Sequence, residues 1–275
     1  MSGHYLIQKL LKESDVAYST IELTKDGPAG ILRFNRPEKR NAINFEMMHE
    51  IEDALAGLND DATVRGIIFT GGDKFFSAGM DLNAVKELGS PKKFTDFMNH
   101  WRRLNKAQED NAKPTIAAIE GFCFTGGLEL ALACDLRVAS TNATFAITSA
   151  KIGTVAGAGG TQRLPRIVGI SNALEMLFSA DPFDAEHAYR IGLINKKVEN
   201  GQALVEAKKL VDLYSRRAPL SLRFVKRAVY GGMQMPLSEA IEFESFIVNT
   251  IYTTSDKLEG ISAFLEKRPA QFRGE

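Results

Sequence analysis

With 275 residues, the chain is long enough to bury one sizeable core. Hydrophobic residues make up 44% and charged residues 25%, which excludes disordered and fibrous classes, while Lys+Arg and Asp+Glu are both 34. The resulting net charge of zero gives no general attraction to nucleic acid or to an acidic membrane surface.

In chain order, residues 1–18 read as an N-terminal extension, a short amphipathic segment with Leu6, Ile7, Leu10 and Leu11 on one side. Lys9, Lys12, Glu13 and Asp15 interrupt its apolar positions, unlike a signal or transit peptide. STIELTKDGPAGILRF (19–34) holds two β-rich runs divided by Asp26-Gly27-Pro28, a hairpin signal. NRPEKRNAIN follows as a polar loop. Met47, Met48, Ile51, Ala54, Leu55 and Leu58 then recur at helical spacing.

GIIFTG (66–71) reads as a buried strand running into the loop GDKFFSAGMDL, and residues 94–108 read as a helix. TIAAIEG (115–121) and RVAS (137–140) are further strands. Strands apolar on both sides, alternating with helices, predict an α/β fold with helices covering the sheet. After about residue 200 the strands stop, and helical patterns cover 202–217, 220–230, 236–254 and 255–267. The organisation expected is an α/β core over 19–200 and a C-terminal helical region over 201–275. No uninterrupted apolar run approaches the roughly 20 residues that span a bilayer. Cys123 and Cys134, the two cysteines, form neither a disulfide framework nor a metal-ligand pattern, which predicts a reducing, cytoplasmic setting.

Chemistry enters with GFCFTGGLELALACD (121–135), where Glu129 stands among Leu128, Leu130, Ala131, Leu132, Ala133 and Cys134. An ionised carboxylate in such company is costly unless it is paired, hydrogen-bonded or protonated. It is either a compensated helix-start carboxylate or a working group. Three glycine-bearing loops follow strand-like runs: SAGMD (77–81), FTGGLE (124–129) and GTVAGAGGTQ (153–162). Taken singly, each reads more readily as a tight turn than as a site, and GAGG does not meet the dinucleotide fingerprint. A helix starting at Gly126-Gly127 would present unpaired N–H groups to an oxygen gaining negative charge.

NRPEKRNAIN, FFSAGMDL, GFCFTGGLELALACD, GTVAGAGGTQRLPR and SDKLEGISAFLEKRPAQF, in this order and spacing, closely resemble the enoyl-CoA hydratase/isomerase (crotonase) family. The likeness runs from about Thr20 onward. It implies an α/β crotonase spiral of β-β-α units, with a C-terminal helical oligomerisation region that supports trimers or hexamers. It implies an acyl-CoA thioester as substrate, with coenzyme A part of that substrate, no separate cofactor, no metal, and neither nucleic acid nor membrane as partner.

Carried over by motif, the backbone N–H groups of Met80 and Gly126 would bind the thioester oxygen, and Glu129 would be the catalytic carboxylate. Burial would raise its pKa and a helix N-terminus would lower it; the sequence does not decide between them. The resemblance assigns Lys39, Arg40 and Ala42, together with Ala78, Asp81 and Leu82, to the CoA and substrate site. Phe264 and Lys267 would reach the nucleotide end, in this subunit or a neighbouring one. The apolar face Leu237, Ile241, Phe243, Ile247, Val248 and Ile251 fits subunit contact, cover for the acyl pocket, or plain core.

One position departs from the family pattern. Ser149 occupies the place of the hydratases' second glutamate, and a serine can hold a water but cannot take its proton at neutral pH. Glu129 could then act alone, could shuttle a proton between carbons, or could be helped by Asn99 or His100 from the 94–108 helix. Thr125, Thr148 and Cys123 are read as pocket lining. The leading expectation is hydration of an α,β-unsaturated CoA thioester. Isomerisation or decarboxylation is the alternative within enzymes, and a non-catalytic acyl-CoA or RNA-binding member the alternative outside them.

Overall fold

A computed structural model describes residues 18–275; the amphipathic segment expected around residues 6–11 lies outside the described residues. The hairpin forms as β1 (Ile21–Asp26) and β2 (Ala29–Phe34), antiparallel, with Ile21 opposite Phe34. Helix α1 (Phe45–Asp60) starts at Asn44, whose side chain accepts the Met47 N–H and so satisfies one of the orphan donors of the first turn. Then come β3 (Gly66–Thr70), the short α2 (Leu82–Glu87) and the long α3 (Pro91–Asp110).

The middle of the chain runs β4 (Thr115–Ile119), β5 (Phe122–Phe124), α4 (Gly126–Leu132), β6 (Leu136–Ser140) and β7 (Thr144–Ala146). It continues with α5 (Gly160–Val168), α6 (Ile170–Ser179), β8 (Phe183–Asp184), α7 (Ala185–Arg190) and β9 (Lys196–Val198). Four helices close it: α8 (Ala203–Ser215), α9 (Pro219–Gly232), α10 (Leu237–Tyr252) and α11 (Ser255–Leu265).

Six strands make one sheet in the order β1-β2-β3-β4-β6-β9, parallel everywhere except the β1–β2 hairpin. β5, β7 and β8 make a second, smaller sheet. The central strands of the large sheet are buried on both faces, which explains why they read as continuous apolar runs rather than alternating ones. The edge strand β1 differs, with only Ile21 buried.

Side-chain alternation sorts the strands between two cores. Leu32, Ile67, Phe69, Ala117 and Ile119 face α1, α3 and α4 in the main core. Ile31, Ile68, Ile116 and Val138 face the other way, against Ala203, Ala207, Leu210 and Val211 of α8. Thus α8, which lies beyond residue 200, covers the second face of the large sheet. The last three helices leave Leu237, Phe246, Val248, Tyr252 and Phe264 exposed. No helix among the described residues is long and apolar enough to cross a membrane.

Candidate active site

Three loops converge beyond the ends of β2, β3 and β5. The polar loop 35–44 is tied to the SAGMD loop by its own backbone: Ala78 N–H donates to Arg40 O (3.0 Å), Ile43 N–H to Gly79 O (2.7 Å) and Asp81 N–H to Ile43 O (2.9 Å). Ser77 Oγ donates to Asn41 O (2.7 Å) and accepts the Gly79 N–H (3.0 Å). The Asn41 amide in turn donates to Gly71 O and Phe76 O. Gly79 sits at φ +102, where a side chain would be strained. This web leaves the Met80 N–H with no acceptor among the described residues.

The second donor comes from the start of α4. Thr125 lies at φ 44 and ψ −113, an unusual conformation for a β-branched residue, which costs on the order of 1–3 kcal/mol. Several contacts hold it there. Its N–H donates to Ala146 O (2.7 Å), and its hydroxyl lies 2.8 Å from the Thr148 hydroxyl and accepts the Thr148 N–H at 3.1 Å. So placed, it turns the Gly126 N–H out of the ladder, again with no acceptor among the described residues. A Cβ on Gly126 would stand 3.1 Å from Met80 N and 3.0 Å from the Trp101 ring; one on Gly79 would stand 2.9 Å from Gly126 N. Two unpaired N–H donors thus share one small space, and glycine is needed because a methyl group would intrude on it.

Glu129 projects from the first turn of α4 and is only 1% exposed. Gly160 N–H, at the start of α5, donates to its Oε1 at 2.8 Å. Burial drives its pKa up, while the backbone amides of Gly160 and Ala158 and the charge of Arg163 pull it down. Burial wins, and the group titrates at about 7. The helix N-terminus that tempers it is that of α5, in addition to any effect of its own helix. Asn105 of α3 braces this arrangement, donating from Nδ2 to Ala158 O at 2.6 Å. Sequence reasoning missed Asn105; its one signal was a buried-polar stripe, Trp101, Asn105 and Gln108, at helical spacing on α3.

The Ser149 side chain is buried in the 3-10 turn that follows β7, one residue beyond the Thr148 that pins Thr125. Its hydroxyl has no hydrogen-bond partner among the described residues. His100 faces α1 instead, with Nε2 at 2.8 Å from Glu52 Oε2, and Asn99 accepts from Arg102. Thr125 and Thr148 do more than line a pocket: they set the backbone of the second donor.

Lys39 and Arg40 are exposed on the loop that the SAGMD backbone is tied to, and the Ala42 carbonyl accepts from Arg36. Asp81 caps α2 through the N–H groups of Asn83 and Ala84 and pairs with Arg36 at 3.1 Å, so its carboxylate is engaged within the protein. Leu82 beside it is exposed. Phe264 and Lys267, near the end of α11, are exposed, with no hydrogen bond or ion pair to the glycine loops.

The geometry has close counterparts. A family model described as enoyl-CoA hydratase/isomerase matches residues 27–275. A crotonyl-CoA hydratase of Syntrophomonas wolfei is 40% identical over 258 residues, covering 94% of this chain and 99% of that protein. A mitochondrial enoyl-CoA hydratase of Pongo abelii is 35% identical over 250 residues, 90% of this chain and 85% of that one. The crystal structure of an enoyl-CoA hydratase from Bacillus anthracis superposes with a TM-score of 0.89 at 30% identity, over 94% of this chain and 100% of that one. Likeness of this extent, in sequence and in the crotonase fold alike, makes the chain a member of the enoyl-CoA hydratase/isomerase family.

Proposed function

We propose that the chain hydrates α,β-unsaturated CoA thioesters with a single glutamate. The observation that carries this reading is the meeting of two unpaired N–H donors, Met80 and Gly126, with a buried glutamate in the same first helical turn as Gly126 whose pKa burial pushes up to about 7. The thioester oxygen lies between the two donors, whose attraction strengthens as the oxygen becomes an enolate oxyanion in a site shielded from water. A general acid–base works best when its pKa lies near the working pH, and burial brings Glu129 there. Gly160 fixes Oε1, so Oε2 takes a proton from the attacking water as the hydroxyl bonds to Cβ, then returns it to Cα. The balance is one water added and Glu129 restored. Ser149 holds the water through its hydroxyl. The hydratase names of the relatives support this direction.

Lys39 and Arg40 meet the phosphates of coenzyme A, the backbone at Ala42 and Ala78 edges the pantetheine, and Leu82 offers apolar contact. Asp81 serves by shaping that loop. Phe264 and Lys267 contribute from a neighbouring copy, within a homotrimer or homohexamer formed through the exposed apolar face of the last helices.

The test is turnover of linear 2-enoyl, 3-enoyl and cyclic dienoyl thioesters in heavy-oxygen water, run on the species whose solution mass is three or six chains. Gain of one labelled water is expected. A change of retention at constant mass would replace hydration by isomerisation, and untouched thioesters that still bind would leave an acyl-CoA binding protein.

Asn105→Ala supplies a separate check on the bracing of Glu129. It leaves the Ala158 carbonyl without its buried partner and loosens the amides that hold the carboxylate down. A fall in kcat of about tenfold is expected, with KM little changed, for a hydrogen bond worth about 1 kcal/mol or more. The pKa in the pH–rate profile should move further up from about 7, a shift that merely lost stability would not produce.

A further inference from the structure

Away from the glycine loops, α1 and α3 bring three metal-ligating side chains to one point. His49 and Glu52 stand three residues apart on α1, one turn along the same face. His100 reaches them from α3. Its Nε2 lies 2.8 Å from Glu52 Oε2, and the two imidazole ring centroids are 4.0 Å apart at 66°. One donor atom from each of the three lies within 4.8 Å of the other two. Phe45 packs beside both rings, its centroid 6.4 Å from that of His49 and 5.7 Å from that of His100. His100 is buried, Glu52 half-buried and His49 exposed, so the cluster has a fixed floor and an open side. It is the only such grouping among the described residues.

We propose that His49, Glu52 and His100 form a binding site for one late first-row divalent cation, with zinc the best fit. Two imidazole nitrogens and one carboxylate oxygen are a borderline donor set of the kind zinc takes, and too poor in oxygen for magnesium or calcium. Zinc–nitrogen bonds of about 2.0–2.1 Å place neighbouring tetrahedral ligand atoms about 3.3 Å apart. The Glu52–His100 contact, now 2.8 Å, therefore opens by about half an ångström, and the exposed His49 ring swings in. The ion takes the place of the proton between His100 Nε2 and Glu52, and His100 binds as the neutral imidazole with its one N–H moved to Nδ1. Three protein ligands leave a fourth position for water. An ion pair between Glu52 and His100 would account for two of these residues, but it gives His49 no task. The bound ion would clip α1 to α3, the helix whose Trp101 and Asn105 border the glycine loops.

The test uses the full chain without a histidine tag, stripped with a chelator and titrated calorimetrically with zinc chloride. One ion per chain with micromolar or tighter affinity is expected, with a rise in Tm of several degrees that magnesium does not reproduce. His49→Ala, an exposed position, should keep the metal-free Tm yet weaken zinc binding by about tenfold or more, and Glu52→Gln should do the same. Cobalt(II) bound to the wild type should show a visible absorption band that His49→Ala loses. Absence of saturable zinc binding would overturn the proposal. So would equal affinity in the wild type and both variants.

Discussion

Glu129→Gln is expected to lower kcat by roughly 10²–10⁴-fold while leaving the affinity for a CoA thioester nearly unchanged. Glutamine keeps the shape and still accepts the Gly160 N–H, but it can neither take a proton from water nor return one to carbon. The same variant should be more stable than the wild type at alkaline pH. The carboxyl titrates at about 7 in the folded chain, against an ordinary value of 4.5 when unfolded. Between those values the folded state holds a proton that the unfolded state has released, so stability falls as pH rises from below 4.5 through 7. Once ionised, the buried group costs about 3 kcal/mol, which glutamine never incurs. Melting curves should coincide near pH 4, below both values, and the variant should melt higher at pH 8. An unchanged kcat would remove Glu129 from the chemistry. A variant that never overtakes the wild type would mean that the Gly160 and Ala158 amides offset burial fully.

The second large effect is expected at Gly126→Ala. The added methyl group would stand 3.1 Å from Met80 N and 3.0 Å from the Trp101 ring, inside the space where the thioester oxygen is proposed to sit. Losing one donor of such a pair costs about 10²–10³-fold in kcat, and blocking the space between both should cost at least that in kcat/KM. Helix propensity runs the other way, since alanine is favoured over glycine by about 1 kcal/mol within a helix. Steady-state kinetics set beside a thermal melt separate the two contributions. A large loss of kcat/KM with Tm held within a few degrees is the expected pairing. Retained activity would place the reacting oxygen elsewhere.

Much of this was legible in the sequence because it is local. Glycine pairs at strand ends, a glutamate in an apolar helix start and the 3.6-residue rhythm of α1 all sit within a few residues of one another. The two- and three-residue strands β5, β7, β8 and β9 escaped reading because segments so short have no period to detect. The partners of the site escaped for another reason. Gly160 lies 31 residues from the carboxylate it holds, and Asn105 lies 53 residues from the carbonyl it braces. Thr148 acts on Thr125 across 23 residues. Nothing in the spacing of such residues marks them as neighbours; only the folded sheet order does. The balance on Glu129 was undecidable for the same reason, since the opposing amides lie at and just before the start of a different helix.

The conformation of Thr125 ties function to the order in which parts of the molecule loosen. Its backbone is held against its own preference by Ala146 and Thr148, which belong to the small sheet and the turn after it, not to the six-stranded sheet. Exposed turns with few buried contacts open before the molecule as a whole when a protein is warmed. When the turn after β7, exposed from residue 150 onward, loosens, Thr148 lets go of Thr125 and the Gly126 N–H swings off its proposed target while both cores are still intact. Heat inactivation should therefore run ahead of melting, with turnover lost at temperatures where the far-ultraviolet signal is still that of the folded chain. In such a molecule, activity is the more sensitive thermometer.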